Sequence, residues 1–106
     1  MRVSPLLRIK RCCLLGRVVF TEKAEDEHLA DGLAREDVIE AVVNAPAVYK
    51  TLRSGVASRG RRRELLYVIL GITHEGILVY TKGALRRHGR EEHFYVFISA
   101  KRSVDE

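Results

Sequence analysis

The sequence predicts an α+β domain, two N-terminal helices packed on one face of a mainly antiparallel sheet of three to five strands, and three observations carry that expectation. In the first half of the 106-residue chain, Ala34, Val38, Ala41, Val42 and Ala45 recur at i, i+4, i+7, i+8 and i+11, one face of a helix. After Pro46 the helical period is lost, and β-branched and aromatic residues collect in short runs. Two of those runs are separated only by His74-Glu75-Gly76, short enough for a hairpin.

Taken in order, residues 1–16 read as a basic N-terminal extension, loosely held or contributed by a start codon assigned too early, and residues 17–106 as a single domain. Residues 18–20, Val-Val-Phe, form a first short strand. Thr21 can cap a helix over about 22–30, and Glu22, Glu25 and Asp26 place negative charge in its first turn, where the helix dipole favours it. Its apolar face, Ala24 and Leu29 with Leu33, is thin, so packing must stabilise it. The second helix points Glu36, Asp37 and Glu40 away from its apolar face and ends at Asn44-Ala45-Pro46, because the residue before proline is pushed out of the helical region. Strands follow at 48–52, 65–73, 77–81 and 93–99, with a Gly-, Ser- and Arg-rich loop over 53–63 and a polar connection over 82–92. Gly76 and Gly83 flank the fourth of these five runs as turn glycines.

Composition narrows the function classes. With 46% hydrophobic and 31% charged residues the chain is too apolar for disorder, and no run of about 18 apolar residues exists to span a bilayer. The apolar run at 12–15 is far shorter than a secretory signal needs, so the cytoplasm is the expected compartment. Cys12 and Cys13 are adjacent, which supports neither a disulfide framework nor a zinc site. Phosphate-loop, dinucleotide, zincin and esterase motifs are absent, and neither cofactor nor metal is expected.

Charge is unevenly placed. Residues 1–21 hold five basic and no acidic side chains, residues 22–40 eight acidic and two basic, and residues 50–102 twelve basic and four acidic, within an overall net charge of +5. A basic face formed by the later segment would attract a polyanion more strongly than the net charge suggests.

Alternation along the strands sorts their side chains into two sets. Leu66, Val68, Leu70 and Ile72, with Val79 and with Phe94, Val96 and Ile98, are the greasy sets expected against the helices. The opposite sets carry Tyr67, Tyr80, Lys82, Tyr95 and Lys101, expected on a partly open face rimmed by Arg61, Arg62, Arg63, Arg86, Arg87, Arg90 and Arg102. Tyrosines between cations suit single-stranded nucleic acid, whose bases stack while Lys and Arg meet its phosphates.

The two short helices with the run 35–44, the strand ending Ile77-Leu78-Val79-Tyr80-Thr81-Lys82-Gly83 and the closing Phe94-Tyr95-Val96-Phe97-Ile98-Ser99-Ala100-Lys101 resemble small toxins of bacterial toxin–antitoxin modules. The likeness is to the RelE superfamily, particularly its BrnT-like and MqsR-like branches and related domains of unknown function, and covers residues 18–103. The resemblance implies a metal-independent endoribonuclease that cuts messenger RNA and is neutralised by a cognate antitoxin. It also implies catalytic roles for Lys82, Tyr95 and Lys101, with Arg102 beside them and phosphate contacts from Arg86 and Arg87. Such cleavage needs the 2′-hydroxyl deprotonated, the phosphorane stabilised and the leaving 5′-oxygen protonated. His88 and His93 are alternative acid–base groups. The alternatives are a non-catalytic RNA-binding module and a protein-interaction module, both using the same basic, tyrosine-bearing face.

Overall fold

Ser4 opens a helix where the sequence suggests none. Its Oγ accepts from the Leu7 N–H, and Pro5 occupies the first turn, where a missing N–H costs nothing. The resulting α1 spans Pro5–Leu14 and buries Ile9, Cys12 and Cys13. After it come β1 Val18–Phe20, α2 Glu22–Ala30, α3 Arg35–Asn44, β2 Lys50–Arg53, β3 Leu65–Ile72, β4 Leu78–His88 and β5 Glu92–Arg102. The computed structural model describes residues 4–54, 64–88 and 92–103, the side chains of His88 and Glu92 excepted. The α+β class and the mostly antiparallel sheet are as expected, but three helices replace the predicted two. Leu6, Ile9, Cys12 and Cys13 carry the missed helical face, and its two cysteines act here as small apolar residues.

Local signals that were legible hold. Thr21 Oγ1 accepts from the Ala24 N–H, and α2 covers the predicted residues. Ala34 offers no side-chain cap to α3, but Asp37 reaches back to the Ala34 N–H at 2.8 Å. Gly76 turns the β3–β4 connection with φ of +85°.

The sheet has five strands in the order β1-β5-β4-β3-β2, with β1 parallel to β5 and every other pair antiparallel. All three helices lie on one face, against Tyr95 and Phe97 of β5, Ile69 of β3 and Val79 of β4. Phe97 stacks on Phe20 at 4.5 Å between centroids, and Tyr95 meets Phe97 edge-on at 5.0 Å. Two glycines bring the layers together. A Cβ on Gly71 would stand 1.8 Å from the Ala41 carbonyl oxygen of α3, and one on Gly83 would stand 2.5 Å from the Tyr95 ring. Gly83 is therefore not a turn residue but an interior position of β4, which runs to His88 through what the sequence suggests is a polar connection.

The expected assignment of faces is reversed in two strands. In β3 the mixed set, Tyr67 and Ile69, turns toward the helices while the aliphatic set, Leu66, Val68, Leu70 and Ile72, lies on the far face. In β5, Tyr95 and Phe97 turn inward and Lys101 outward, although all three have the same parity. The cause is a β-bulge: Gly83 faces Phe97 while Lys82 faces Ser99, leaving Ile98 as the extra residue. Strict alternation cannot survive that insertion.

Candidate nucleic-acid interface

The far face of the sheet is built by cross-strand rows. Lys50, Val68 and Lys82 follow one another across β2, β3 and β4, and the row ends at Ser99 of β5, whose hydroxyl is committed to Glu27 of α2. In the next row Leu70 faces Tyr80, and Tyr80 faces Lys101. Lys101 Nζ lies 5.6 Å from the Tyr80 ring centroid, a cation over an aromatic face. On the other side come Leu52, Leu66, Ala84 and Val96, and then Arg86 opposite Phe94. Val68, Ala84 and Val96 are buried at the centre, Lys82 and Tyr80 are half-buried, and Lys50 and Lys101 are exposed. None of these residues belongs to the two clusters that pack under the helices.

Arg86 is held by Glu64, with Nε donating to Oε2 at 2.9 Å and Nη2 to Oε1 at 3.1 Å. The Glu64 carboxylate raises the already high Arg86 pKa, so this cation is permanent but partly neutralised. Lys50, Lys82 and Lys101 have no ion-pair partner among the described residues.

Of the residues expected on the open face, Lys82, Lys101, Tyr80 and Arg86 are brought together there. Tyr95 is not: it is fully buried, its hydroxyl donating to the Tyr67 carbonyl at 3.4 Å. Burial, with Cys13 and Tyr67 nearby, pushes its phenol well above the ordinary value, which removes it as a proton shuttle for a solvent-borne substrate. Tyr67 packs partly buried against the helix-side cluster. His93 and Arg87 are opposite one another in the β4–β5 ladder, one residue out of phase with the Arg86–Phe94 pair and so on the helix side. Arg102 pairs with Val79 on that side too, and its backbone N–H donates to Asp31 at 2.8 Å. Arg61, Arg62, Arg63 and Arg90 and the His88 side chain lie outside the described residues.

One residue was missed. Lys50 joins Lys82 through Val68, and its parity with Leu52 was readable, but the pairing of β2 with β3 was not. The arrangement can bind an anionic polymer, with an aromatic ring beside one cation and further cations along the same face. Among the described residues no group of three His, Cys, Asp or Glu side chains could hold a metal ion, and no helix is long and apolar enough to cross a membrane. No protein-family model, curated protein or solved structure matches the chain.

Proposed function

We propose that the sheet face opposite the three described helices binds single-stranded RNA and cleaves it without a metal, as a toxin-like endoribonuclease neutralised by a cognate antitoxin that covers the same face. The observation that carries this reading is the row of Lys50 and Lys82, with Lys101 over Tyr80, on the sheet face opposite the three described helices. Lys82 and Lys101 meet the phosphate and stabilise the charge of the phosphorane, and Tyr80 stacks on a base. The 2′-hydroxyl passes its proton to water as its oxygen attacks phosphorus, the bond to the 5′-oxygen breaks and that oxygen takes a proton from solvent, so the products are a 2′,3′-cyclic phosphate and a 5′-hydroxyl. Tyr95 has no place in that step.

The test incubates a labelled single-stranded RNA with the protein in EDTA and identifies product ends. Cyclic-phosphate ends formed by the wild type and lost in Lys82→Ala support cleavage. Salt-sensitive retention with intact RNA replaces it with the second reading, a non-catalytic RNA-binding module. That reading is favoured by one observation: once Tyr95 is buried and Glu64 committed to Arg86, the described face offers no carboxylate or histidine beside Lys82. Absence of both retention and cleavage overturns the nucleic-acid reading altogether.

A further inference from the structure

The helix layer presents two exposed stripes of opposite charge. On α1 the residues turned away from Ile9, Cys12 and Cys13 are Leu7, Arg11 and Leu14, at i, i+4 and i+7, flanked by Arg8 and Leu15. The leucines are 59%, 72% and 53% exposed at positions 7, 14 and 15, and no acidic residue occurs before Glu22. The inner face of α1 is already packed, and Leu7 and Leu14, with Leu15 just past its end, lie exposed outside that packing. On α2 Glu22, Asp26 and Leu29 are exposed, again at i, i+4 and i+7, beside Lys23, which reaches toward Glu27, and Leu29 is 61% exposed. Among the described residues, no ion pair holds Arg8, Arg11, Glu22 or Asp26.

The two stripes sit at opposite ends of β5. The Cys12 thiol of α1 donates to the His93 carbonyl, whereas Glu27 of α2 accepts from Ser99 Oγ and the Ala100 N–H, and Asp31 from the Arg102 N–H. We infer that a second copy of this chain docks on the helix layer, related by a two-fold axis that sets α1 of each copy on α2 of the other. A rotation about an axis lying in the interface and crossing the line from α1 to α2 makes that exchange, so one contact is made twice. With the two helices antiparallel it brings Leu7 opposite Leu29 and Arg11 opposite Asp26, one apolar pair and one charge pair at each contact, with Leu14 beside Glu22 at the end of the stripe.

Other occupants fit less well. An anionic lipid surface would attract α1 but meet Glu22, Asp26, Glu36 and Glu40 on the same layer. Pairing α1 with its own counterpart would set arginines against arginines. Lys82, Lys101 and Tyr80 lie on the other face of the sheet, so the inference does not depend on the RNA reading.

The experiment is sedimentation velocity of the full chain from about 5 to 200 μM, with two reversed-charge variants, Arg11→Glu and Asp26→Arg, each checked for wild-type circular dichroism. A mass rising from the 12.0 kDa monomer toward twice that value is expected for the wild type. Each variant alone sets like charges together at both contacts and is expected to remain monomeric throughout. Mixed in equal amounts they restore one native and one reversed pair, and a heterodimer is expected to return. A wild type that is monomeric at every concentration overturns the inference, as does a dimer that persists in both single variants. Monomeric variants whose mixture stays monomeric also overturn it, because then Arg11 and Asp26 do not face each other.

Discussion

The two faces of this sheet differ in what covers them, and so in what their side chains do. Beneath the helices, Tyr95 and Phe97 are fully buried and meet rings and aliphatic groups; across the same strands, Lys82, Lys101 and Tyr80 meet solvent. The helices add the opposite charge. Glu27, Asp31 and Glu40 each accept a backbone N–H from the sheet or its loops, at Ala100, Arg102 and His74. Acidic side chains of the helix layer therefore dock the helices and satisfy strand-edge donors, which would otherwise invite another strand. Among the described residues the lysines of the far face hold no ion pair, and that contrast, more than the net charge of +5, singles them out.

The comparison breaks most decisively at Phe97. Phe97→Ala removes the ring that joins Phe20 to Tyr95 and leaves a cavity, a loss of about 3–5 kcal/mol. A domain of this size holds roughly 0.05–0.15 kcal/mol per residue, so much of its stability goes, and a urea midpoint or thermal melt measures it. Gly83→Ala comes next. Its methyl would enter the space of the Tyr95 ring and the Val96 carbonyl, an overpacking of about 1–3 kcal/mol that Tyr95→Leu should partly relieve in the double variant.

Lys82→Ala should do the reverse of both. Stability stays within about 0.5 kcal/mol of wild type, while RNA affinity falls and the slope of log affinity against log salt drops by about one. Filter binding across a salt series checks it, and a large change in melting temperature would show that Lys82 belongs to the packing after all. Tyr95→Phe sharpens the contrast further. It removes only the hydroxyl that donates to the Tyr67 carbonyl at 3.4 Å, at a cost of about 0.5–1.5 kcal/mol, and RNA retention and cleavage are expected to be unchanged. Lost cleavage with full stability would return Tyr95 to the chemistry.

These contrasts also explain what could be read in advance. Thr21, the acidic first turn of α2 and the apolar period of α3 act within a few residues, and both helices form where those signals lie. The β1, β3 and β5 strands were legible for the same reason. Helix α1 was hidden by Arg8, Lys10 and Arg11, which break its apolar run in sequence but not in space, since Lys10 Nζ reaches the Ala45 carbonyl and the arginines turn outward. The candidate site fared less evenly. Lys82, Lys101 and Tyr80 fall together as alternation suggests, because in the run from 78 to 82 nothing interrupts the pleat. Tyr95 was misplaced because the bulge at Ile98 separates its parity from that of Lys101. Which face the helices choose is a tertiary matter: it turns on Gly71 and Gly83, whose missing side chains admit Ala41 and Tyr95, and no local periodicity announces that.

The smallest expected effect tests the helix side through acid. Arg35 of α3 donates from Nε to both Glu25 oxygens of α2, at 2.8 and 3.1 Å, and its guanidinium lies 5.1 Å from the Phe20 ring centroid. Glu25 also meets His28, whose other ring nitrogen is 2.7 Å from the Leu33 carbonyl. The Arg35 hydrogen bonds, with help from His28, lower the Glu25 pKa to about 2. A carboxylate held below its unfolded pKa of about 4.3 contributes stability that is fully present above that value and disappears as pH falls through the folded one. The wild type should therefore lose this contribution between about pH 4.3 and pH 2, as the unfolded chain takes up a proton that folded Glu25 still refuses. In Arg35→Ala the largest cause is gone, the Glu25 pKa rises toward its unfolded value, and the slope of stability against pH in that window becomes shallower. Urea midpoints at half-unit steps from pH 2 to 7 measure the slope, and equal slopes in the two proteins would show that the α2–α3 contact does not depend on this ion pair.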